Sequence, residues 1–168
     1  NAAVRRVLLG ENKVCGLTRE QDAQAAYEAG AIYGGLIFVE SSPRAVNEEQ
    51  ARKVMAAAPL NYVGVFRDAD INDVAAKADA LSLSAVQLHG DEDQAYIDAL
   101  RHALAPQVQI WKAQSVGATL PARNLKHVDK YVLDNGQGGT GQRFDWSLLR
   151  GEVLDNVLLA GGLSPDNC

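Results

Sequence analysis

Short apolar runs alternate with helix-like stretches along the chain, and seven such runs can be counted. Each run is three to six residues long and ends in a polar or glycine-containing step. They cover 13–15, 33–38, 62–66, 85–88, 108–111, 131–133 and 157–160. This alternation predicts parallel strands joined by crossover helices. Most of the runs are continuously apolar, which is typical of strands buried on both faces of a parallel sheet.

The stretches between the runs carry helix start signals. Thr18 with Gln21, and Asn47 with Gln50, have the spacing of a capping box, in which two side chains satisfy backbone donors at a helix N-terminus. Asp70 precedes a single apolar stripe and is a further predicted N-cap. A weaker helix is predicted over 117–128, where a proline interrupts the pattern.

The spacing of the runs predicts the architecture. The runs that begin at 62, 85, 108 and 131 are 23 residues apart, which is the period of a strand–helix unit. We therefore expect an α/β protein with the (βα)8 TIM-barrel fold, here incomplete with about seven parallel strands. An open doubly wound sheet is the rival architecture, but the first run is not followed by the G-x-G-x-x-G fingerprint that such sheets often carry.

Composition limits the class of protein. With 168 residues, 47% hydrophobic content and a net charge of -5, the chain is expected to form one soluble domain without a nucleic-acid partner. No apolar run approaches the roughly 18 residues that a membrane span needs. Cys15 and Cys168 make no disulfide framework, so a reducing cytoplasm is the expected compartment.

Reactive side chains follow the predicted strands. Cys15, His89, Lys112 and Asp134 each stand at a predicted strand end, where (βα)-barrels carry their active sites. Cys15 also precedes a predicted helix, whose N-terminus would stabilise a thiolate. The alternative for Cys15 is that of a small buried apolar residue.

Three polar candidates each have an alternative structural interpretation. Asp134 ends a very apolar run, where a raised pKa would suit a general acid, but the local sequence Asp134-Asn135-Gly136 slightly favours an aspartate that opens a turn. His89 could donate, accept or titrate, or it could be a satisfied polar group. Arg44 could bind a carboxylate or phosphate with two hydrogen bonds, or it could be solvated.

Two glycine-rich segments predict a phosphate site. Gly139 and Gly141 belong to the loop after the sixth strand, and the pair Gly161 and Gly162 follows the seventh. Backbone N–H groups freed by glycine can bind an anion, and late loops of (βα)-barrels often do so. The alternative is a flexible lid or a tight turn.

Taken together, these motifs resemble the phosphoribosylanthranilate isomerase family, and the matches come in chain order. The matching segments are KVCGLT at 13–18, GLIF at 35–38, SPR at 42–44, VGVF at 63–66, VQLHG at 86–90, LD at 133–134, GGTG at 138–141 and LAGGL at 159–163. The resemblance implies an Amadori rearrangement of N-(5-phosphoribosyl)anthranilate to 1-(carboxyphenylamino)-1-deoxyribulose 5-phosphate, a step of tryptophan biosynthesis.

The resemblance also implies the roles of individual residues. The family's general base matches Cys15 and its general acid matches Asp134. Arg44 matches the arginine expected to hold the anthranilate carboxylate, and His89 is interpreted as lining the active site. Gly139, Gly141, Gly161 and Gly162 are assigned to the small phosphorylated substrate. No metal or other cofactor is implied, because the Schiff base itself acidifies the proton that is removed.

The resemblance further implies a domain arrangement. Residues 1–10 resemble the last helix of indole-3-glycerol-phosphate synthase, which precedes the isomerase as a fused domain in a bifunctional protein. Residues 11–168 would then be an isomerase barrel that lacks its C-terminal unit. An open barrel of this kind would be expected to expose sheet edges through which it could self-associate.

Two other functions stay open at this stage. One is a related isomerase acting on a different phosphoribosyl amine, as in histidine biosynthesis; that family uses two aspartates, so Cys15 argues against it. The other is a catalytically inactive barrel fragment that needs a complementing segment.

Overall fold

Seven strands form one sheet in the computed structural model, which describes residues 10–135 and 145–161. The sheet order follows the chain, β1 to β7, and every neighbouring pair is parallel. The strands are β1 Lys13–Cys15, β2 Tyr33–Ile37, β3 Asn61–Phe66, β4 Ala85–Leu88, β5 Gln109–Ser115, β6 Lys130–Asp134 and β7 Val157–Leu159. Sequential order with parallel pairing excludes the doubly wound alternative, in which the strand order reverses.

Helices connect the first five strands. They are α1 Glu20–Glu28, α2 Glu48–Ala57, α3 Ile71–Ala80 and α4 Gln94–Ala103, and a short 3₁₀ helix, Trp146–Leu149, precedes β7. Two predicted N-caps are confirmed, because Asn47 accepts a hydrogen bond from the Gln50 amide at 2.9 Å and Asp70 accepts one from the Asn72 amide at 2.8 Å. Within the described ranges, no helix is both long and apolar enough to cross a membrane.

The sheet curls so that strands far apart in its order touch. The rings of Tyr33 on β2 and Trp111 on β5 pack edge to face with centroids 4.9 Å apart. At the same end, Lys130 at the start of β6 contacts Glu11, just before β1, at 2.5 Å. A flat sheet would keep these pairs three to five strands apart, so the structure confirms the expected (βα)-barrel type with seven parallel strands.

The curled sheet has two apolar faces. The outer face packs against the helices through side chains such as Leu36, Val86 and Ile110. The inner face carries Trp111 and Val63 together with smaller side chains. Because successive strand residues point to opposite faces, every second side chain of each strand projects into the barrel interior.

Two predicted elements are wrong. Thr18 does not cap α1, which begins after Arg19; the Arg19 guanidinium pairs with Asp22 at 2.7 Å, and Gln50 donates instead to the Thr18 carbonyl. The helix predicted over 117–128 is absent from this described stretch. Its backbone is held by more distant partners, as in the Leu125 amide donating to the Tyr131 hydroxyl at 2.9 Å.

The fifth strand is longer than its apolar run indicates. The structure extends β5 through Ser115, which places Lys112 in the middle of the strand and not at its end. The charge of Lys112 is accommodated there because Glu92 lies 2.9 Å away, so the apolar run stops before the strand does.

Candidate active site

The candidate residues collect at the C-terminal edge of the sheet. Cys15 and Asp134 are the last residues of β1 and β6, and His89 directly follows β4. Arg44 lies in the loop after β2, and Gly161 comes two residues after β7. Parallel pairing of all seven strands places these five residues around one edge of the sheet, as the carboxyl ends of barrel strands require.

Asp134 and His89 are in direct contact. The Nε2 atom of His89 lies 3.2 Å from Oδ2 of Asp134, whose side chain is only 8% exposed, whereas that of His89 is 30% exposed. On the other side of the imidazole, Nε2 of Gln87 lies 3.4 Å from Nδ1. Gln87 and His89 share one face of β4, so strand geometry alone stacks them towards the interior.

Cys15 is exposed and has a glycine as its neighbour on β2. Its partner in the sheet is Gly35, and a β-carbon at Gly35 would stand 2.8 Å from the Cys15 sulfur. A larger residue at position 35 would therefore displace the thiol. The absence of a side chain leaves the sulfur accessible at the rim of the sheet.

Arg44 packs over the turn that follows Cys15. Its Nη1 donates to the Cys15 carbonyl at 3.1 Å, and its side chain covers Gly16, which has φ +84. A β-carbon at Gly16 would stand 2.7 Å from Nη1 of Arg44. The guanidinium is thus held at the backbone of Cys15 and Gly16, with further N–H groups that can donate to an anion.

Two cavities meet at this edge. One, of about 620 Å³, is lined by His89, Asp134 and the loops after β3 and β4; the other, of about 530 Å³, is lined by Arg44 and the loop after β2. Arg67 and His89 line both of them. The edge therefore offers an acidic and a basic side together, which suits a substrate with anionic groups.

A buried ion pair supports the loop that carries His89. Lys112 Nζ lies 2.9 Å from Glu92 Oε2 and donates to the Gly90 carbonyl at 2.6 Å. The Glu92 carboxylate also accepts from the amides of Asp68 and Gly90, both at 2.9 Å. Lys112 is consequently a scaffold for the site and not one of its reactive groups.

The sequence interpretation missed Gln87, Glu92 and Arg67. The two-residue spacing of Gln87 and His89 was a readable signal, because such residues share a strand face. Nothing local marked Glu92 or Arg67. Of the phosphate-binding candidates, Gly161 is described and has φ +82, whereas Gly139, Gly141 and Gly162 lie outside the described residues.

The arrangement can support proton transfer. It brings a buried carboxylate, an imidazole, an exposed thiol and two guanidinium groups to one concave edge. Over residues 10–135 and 145–161, no three histidine, cysteine or acidic side chains are grouped so that they could hold a metal ion. The chemistry available from these side chains is acid–base catalysis.

Comparison with known proteins identifies the family. The profile described as N-(5'phosphoribosyl)anthranilate (PRA) isomerase matches residues 12–168. The chain belongs to this isomerase family. The resemblance seen in the sequence motifs is thereby confirmed over almost the whole chain.

Curated relatives of this isomerase family member are longer than the chain. It is 75% identical over 168 residues to the tryptophan biosynthesis protein TrpCF of Salmonella typhi and 70% identical to that of Yersinia pestis. Both matches cover 100% of the chain, but only 37% and 35% of the two relatives. The chain thus spans little more than a third of the length of these proteins.

Solved isomerase structures share the fold. Phosphoribosyl anthranilate isomerase from Thermus thermophilus is 29% identical, with a TM-score of 0.79 over 94% of this chain and 79% of that one. Another such isomerase, solved in complex with reduced 1-(o-carboxyphenylamino)-1-deoxyribulose 5-phosphate, is 30% identical with a TM-score of 0.75, over 94% of this chain and 78% of that one.

Proposed function

We propose that this chain carries the phosphoribosylanthranilate isomerase activity of a protein of tryptophan biosynthesis. The reaction converts N-(5-phosphoribosyl)anthranilate into 1-(carboxyphenylamino)-1-deoxyribulose 5-phosphate, as the family and the motif resemblance imply. The contact between the buried Asp134 carboxylate and His89 at the C-terminal edge of the sheet carries the proposal. It places a carboxyl group where a sugar ring could be protonated away from bulk water.

Asp134 is proposed as the general acid and Cys15 as the general base. Protonation of the furanose ring oxygen by the Asp134 carboxyl opens the ring to a Schiff base. The Cys15 thiolate then removes the proton from C2 to give an enolamine, which tautomerises to the ketone. The two residues stand on β1 and β6, so a substrate bound over the sheet edge could meet one group from each side.

Arg44 and the late glycines are proposed to hold the anionic ends of the substrate. The Arg44 guanidinium beside the Cys15 carbonyl suits the anthranilate carboxylate, which it could bind with two N–H groups. Gly161, together with Gly139, Gly141 and Gly162, would offer backbone N–H groups to the phosphate. Binding at both ends would fix the C2 proton relative to the thiolate.

We also propose a domain context from the longer relatives. The chain would be the isomerase part of a TrpCF-like protein, in which residues 1–10 form the tail of a fused indole-3-glycerol-phosphate synthase domain and residues 11 onward form the isomerase. We infer a cytoplasmic location for such a biosynthetic enzyme. Residues 1–9 and 162–168 lie outside the described residues, so this proposal rests on the sequence resemblance and the relatives.

The proposal is tested in the full-length protein that carries this sequence. Turnover is followed by the fluorescence of the anthranilate group in wild type, Cys15→Ser and Asp134→Asn, with Asp73→Asn on an exposed face of α3 as the control. Both site variants should lose at least about 100-fold in kcat while still binding the reduced product analogue. Turnover by either variant at the rate of the control would refute its assigned role.

A further inference from the structure

Gln87 is a buried polar side chain that the acid–base mechanism does not use. It is 2% exposed, lies in the middle of β4, and its Oε1 atom has no hydrogen-bond partner within the described structure. A buried amide oxygen without a partner is unfavourable, so such a residue normally serves a purpose other than packing. Its other amide atom, Nε2, faces Nδ1 of His89 at 3.4 Å.

We propose that Gln87 is a positioning residue that sets the tautomer of His89 and thereby directs His89 Nε2–H at Asp134. The inference rests on the proposed role of Asp134. An amide N–H can only donate, so the Nδ1 atom that it faces must carry a lone pair. The proton of the neutral imidazole then sits on Nε2, 3.2 Å from Oδ2 of Asp134.

For a neutral His89 ring, the three groups are consistent only in this arrangement when Asp134 is ionised. With the Gln87 carbonyl towards His89, the proton would move to Nδ1 and leave the Nε2 lone pair against a carboxylate. Two acceptors would then face each other across 3.2 Å. The orientation of Gln87 with its NH2 group towards His89 avoids this repulsion, at the expense of its buried Oε1.

The consequence for catalysis is an oriented acid that can be reprotonated. A hydrogen bond from His89 fixes the orientation of the Asp134 carboxyl group at the edge of the sheet. His89 is 30% exposed, so it can also connect the buried carboxyl group with solvent when Asp134 has given up its proton. Gln87 acts on the reaction only through His89.

A second histidine in the same chain provides an internal reference. Nδ1 of His102 lies 2.7 Å from the carbonyl oxygen of Asp98. A carbonyl only accepts, so His102 must carry its proton on Nδ1 when neutral. The structure thus assigns opposite tautomers to His89 and His102, and one spectrum can show both.

The direct test is ¹⁵N NMR of the histidine rings in the full-length protein that carries this sequence. At neutral pH, His89 should show an unprotonated Nδ1 and a protonated Nε2, and His102 the reverse. His89→Gln and His102→Gln assign the signals. A protonated Nδ1 on neutral His89 in the wild-type protein would overturn the proposal whatever the activity, so this result is separate from the assignment of Asp134 as the acid.

Variants at Gln87 test the functional consequence. Gln87→Leu keeps similar bulk and removes the unpaired Oε1, so its stability should equal or exceed that of wild type. Its kcat should nevertheless fall between about 10- and 100-fold, with KM changed less, because a misplaced catalytic group loses rate. A kcat equal to wild type in a folded Gln87→Leu protein would overturn the proposal.

Gln87→Glu keeps the shape and reverses the hydrogen-bond preference. A carboxylate at this position only accepts, so it should place a proton on Nδ1 of His89 and favour the imidazolium form. We expect a changed ¹⁵N signature and a kcat–pH profile that differs from wild type. If the His89 signature stays that of wild type, Gln87 does not set the tautomer.

The pH profile must be interpreted with the other charged groups around His89. These groups come from β6 and from the loops after β2, β3 and β4, as well as from β5. They are Asp134, Arg44, Arg67, Asp68, Asp91, Glu92 and Lys112. None of them changes in the Gln87 variants, and Gln87→Leu adds no titratable group. A difference in pH profile between Gln87→Leu and wild type therefore reports on His89, whereas the profile of Gln87→Glu also contains its new carboxylate.

The matched control is Gln109, a glutamine that is hydrogen-bonded to an aromatic ring two residues further along its own strand. On β5, Gln109 accepts a hydrogen bond from the Trp111 indole at 2.9 Å, at the opposite end of the sheet from His89. Gln109→Leu should lower stability but leave kcat and the His89 tautomer unchanged. If it lowered kcat as much as Gln87→Leu, the loss would reflect general disruption of the sheet, and the proposal would fail.

Discussion

Lys112 Nζ lies 2.9 Å from Oε2 of Glu92, and both side chains are buried almost completely. Two charges out of water are stable only when their remaining hydrogen-bonding groups are satisfied. Here Glu92 accepts from two backbone amides and Lys112 donates to the Gly90 carbonyl. The pair therefore ties β5 to the loops after β3 and β4, at the residue that follows His89.

Removal of one partner should be costly. Lys112→Met would leave the Glu92 carboxylate buried without a cation, and we expect the free energy of unfolding to fall by about 3 kcal/mol. The double variant Lys112→Met with Glu92→Gln should lose less than the sum of the single variants, because the two side chains are coupled. Urea denaturation of the four proteins measures this cycle.

An exposed ion pair provides the control for that cycle. Lys53 lies 2.8 Å from Glu49 on α2, but both side chains are solvent-exposed. The same substitution, Lys53→Met, should leave the denaturation midpoint unchanged within error. Strictly additive losses at Lys112 and Glu92 would show that the buried pair is not an energetic unit.

The strands were predictable from sequence because burial on both faces gives them an unbroken apolar pattern. Six of the seven runs match strands to within one residue at either end, and the fifth fails only where Lys112 continues the strand. A single lysine looks like a strand end unless its buried partner is known. That partner, Glu92, lies twenty residues earlier and is invisible to local patterns.

Helix starts were predictable only where the cap is local. Asn47 and Asp70 satisfy amides two or three residues ahead, so their sequence signal is sufficient. At Thr18 the same signal fails, because the helix begins one residue later and has Arg19 at its N-cap position, without a side-chain cap hydrogen bond. In the stretch 117–128, the amides of Leu125 and Lys126 donate to the side chains of Tyr131 and Gln94 and not to carbonyls of a helix.

The sequence could predict which residues reach the C-terminal edge of the sheet, but not which of their side chains touch one another. Parallel topology was enough to bring Cys15, His89 and Asp134 to one edge of the sheet. The contact between His89 and Asp134 depends on the curl of the sheet across two strands, which sequence does not encode locally. Loop conformations such as φ 47 at Asp68, beneath the same site, are equally hidden.

Thiol modification tests the exposure of Cys15. An exposed cysteine at the rim of the site should react with iodoacetamide, and its alkylation should abolish turnover in the full-length protein. If Cys15 lies in the substrate site, the reduced product analogue should slow the alkylation of Cys15 and the loss of turnover by the same factor. Mass spectrometry locates the label, and Cys15→Ser provides the unlabelled reference. Full turnover after complete labelling of Cys15 would contradict its role as the base.

Tyr62 should make stability depend on alkaline pH. Burial raises the pKa of Tyr62 to about 12 from 10.0, and the single proton of its hydroxyl is shared between the carbonyls of Val54 and Ala58. The unfolded chain loses this proton at a lower pH than the folded chain does. The stabilisation is therefore complete below pH 10 and declines as the pH rises from about 10 to about 12.

Tyr62→Phe isolates this contribution. At pH 7 the variant should be less stable by about 1 kcal/mol, because two carbonyls lose a donor. Above pH 10 the difference from wild type should shrink, since only wild type carries the ionising hydroxyl. Urea denaturation at pH 7, 9 and 11 measures the trend. Burial also raises the pKa of Tyr96 to about 12, but Tyr96 is present in both proteins. Its contribution therefore cancels in the difference in stability between wild type and Tyr62→Phe. A constant difference across the pH range would exclude the linkage.

Gly16 should matter for binding as well as for backbone conformation. It has φ +84, and an alanine β-carbon there would stand 2.7 Å from the Arg44 guanidinium. Gly151 has a similar φ of +81, but nothing lies within 4 Å of its β-carbon position. Both Gly16→Ala and Gly151→Ala should therefore lose about 1–2 kcal/mol of stability from the left-handed backbone conformation.

Only Gly16→Ala should also change substrate affinity. Displacement of Arg44 removes the proposed partner of the anthranilate carboxylate, so KM should rise by about tenfold in the full-length protein. Gly151→Ala should keep the KM of wild type at equal loss of stability. Steady-state kinetics at a temperature where both variants are folded separates the two effects. Equal KM values for the two variants would show that Arg44 does not hold the substrate, and the carboxylate site would then have to be sought at Arg67, which lines the same cavity.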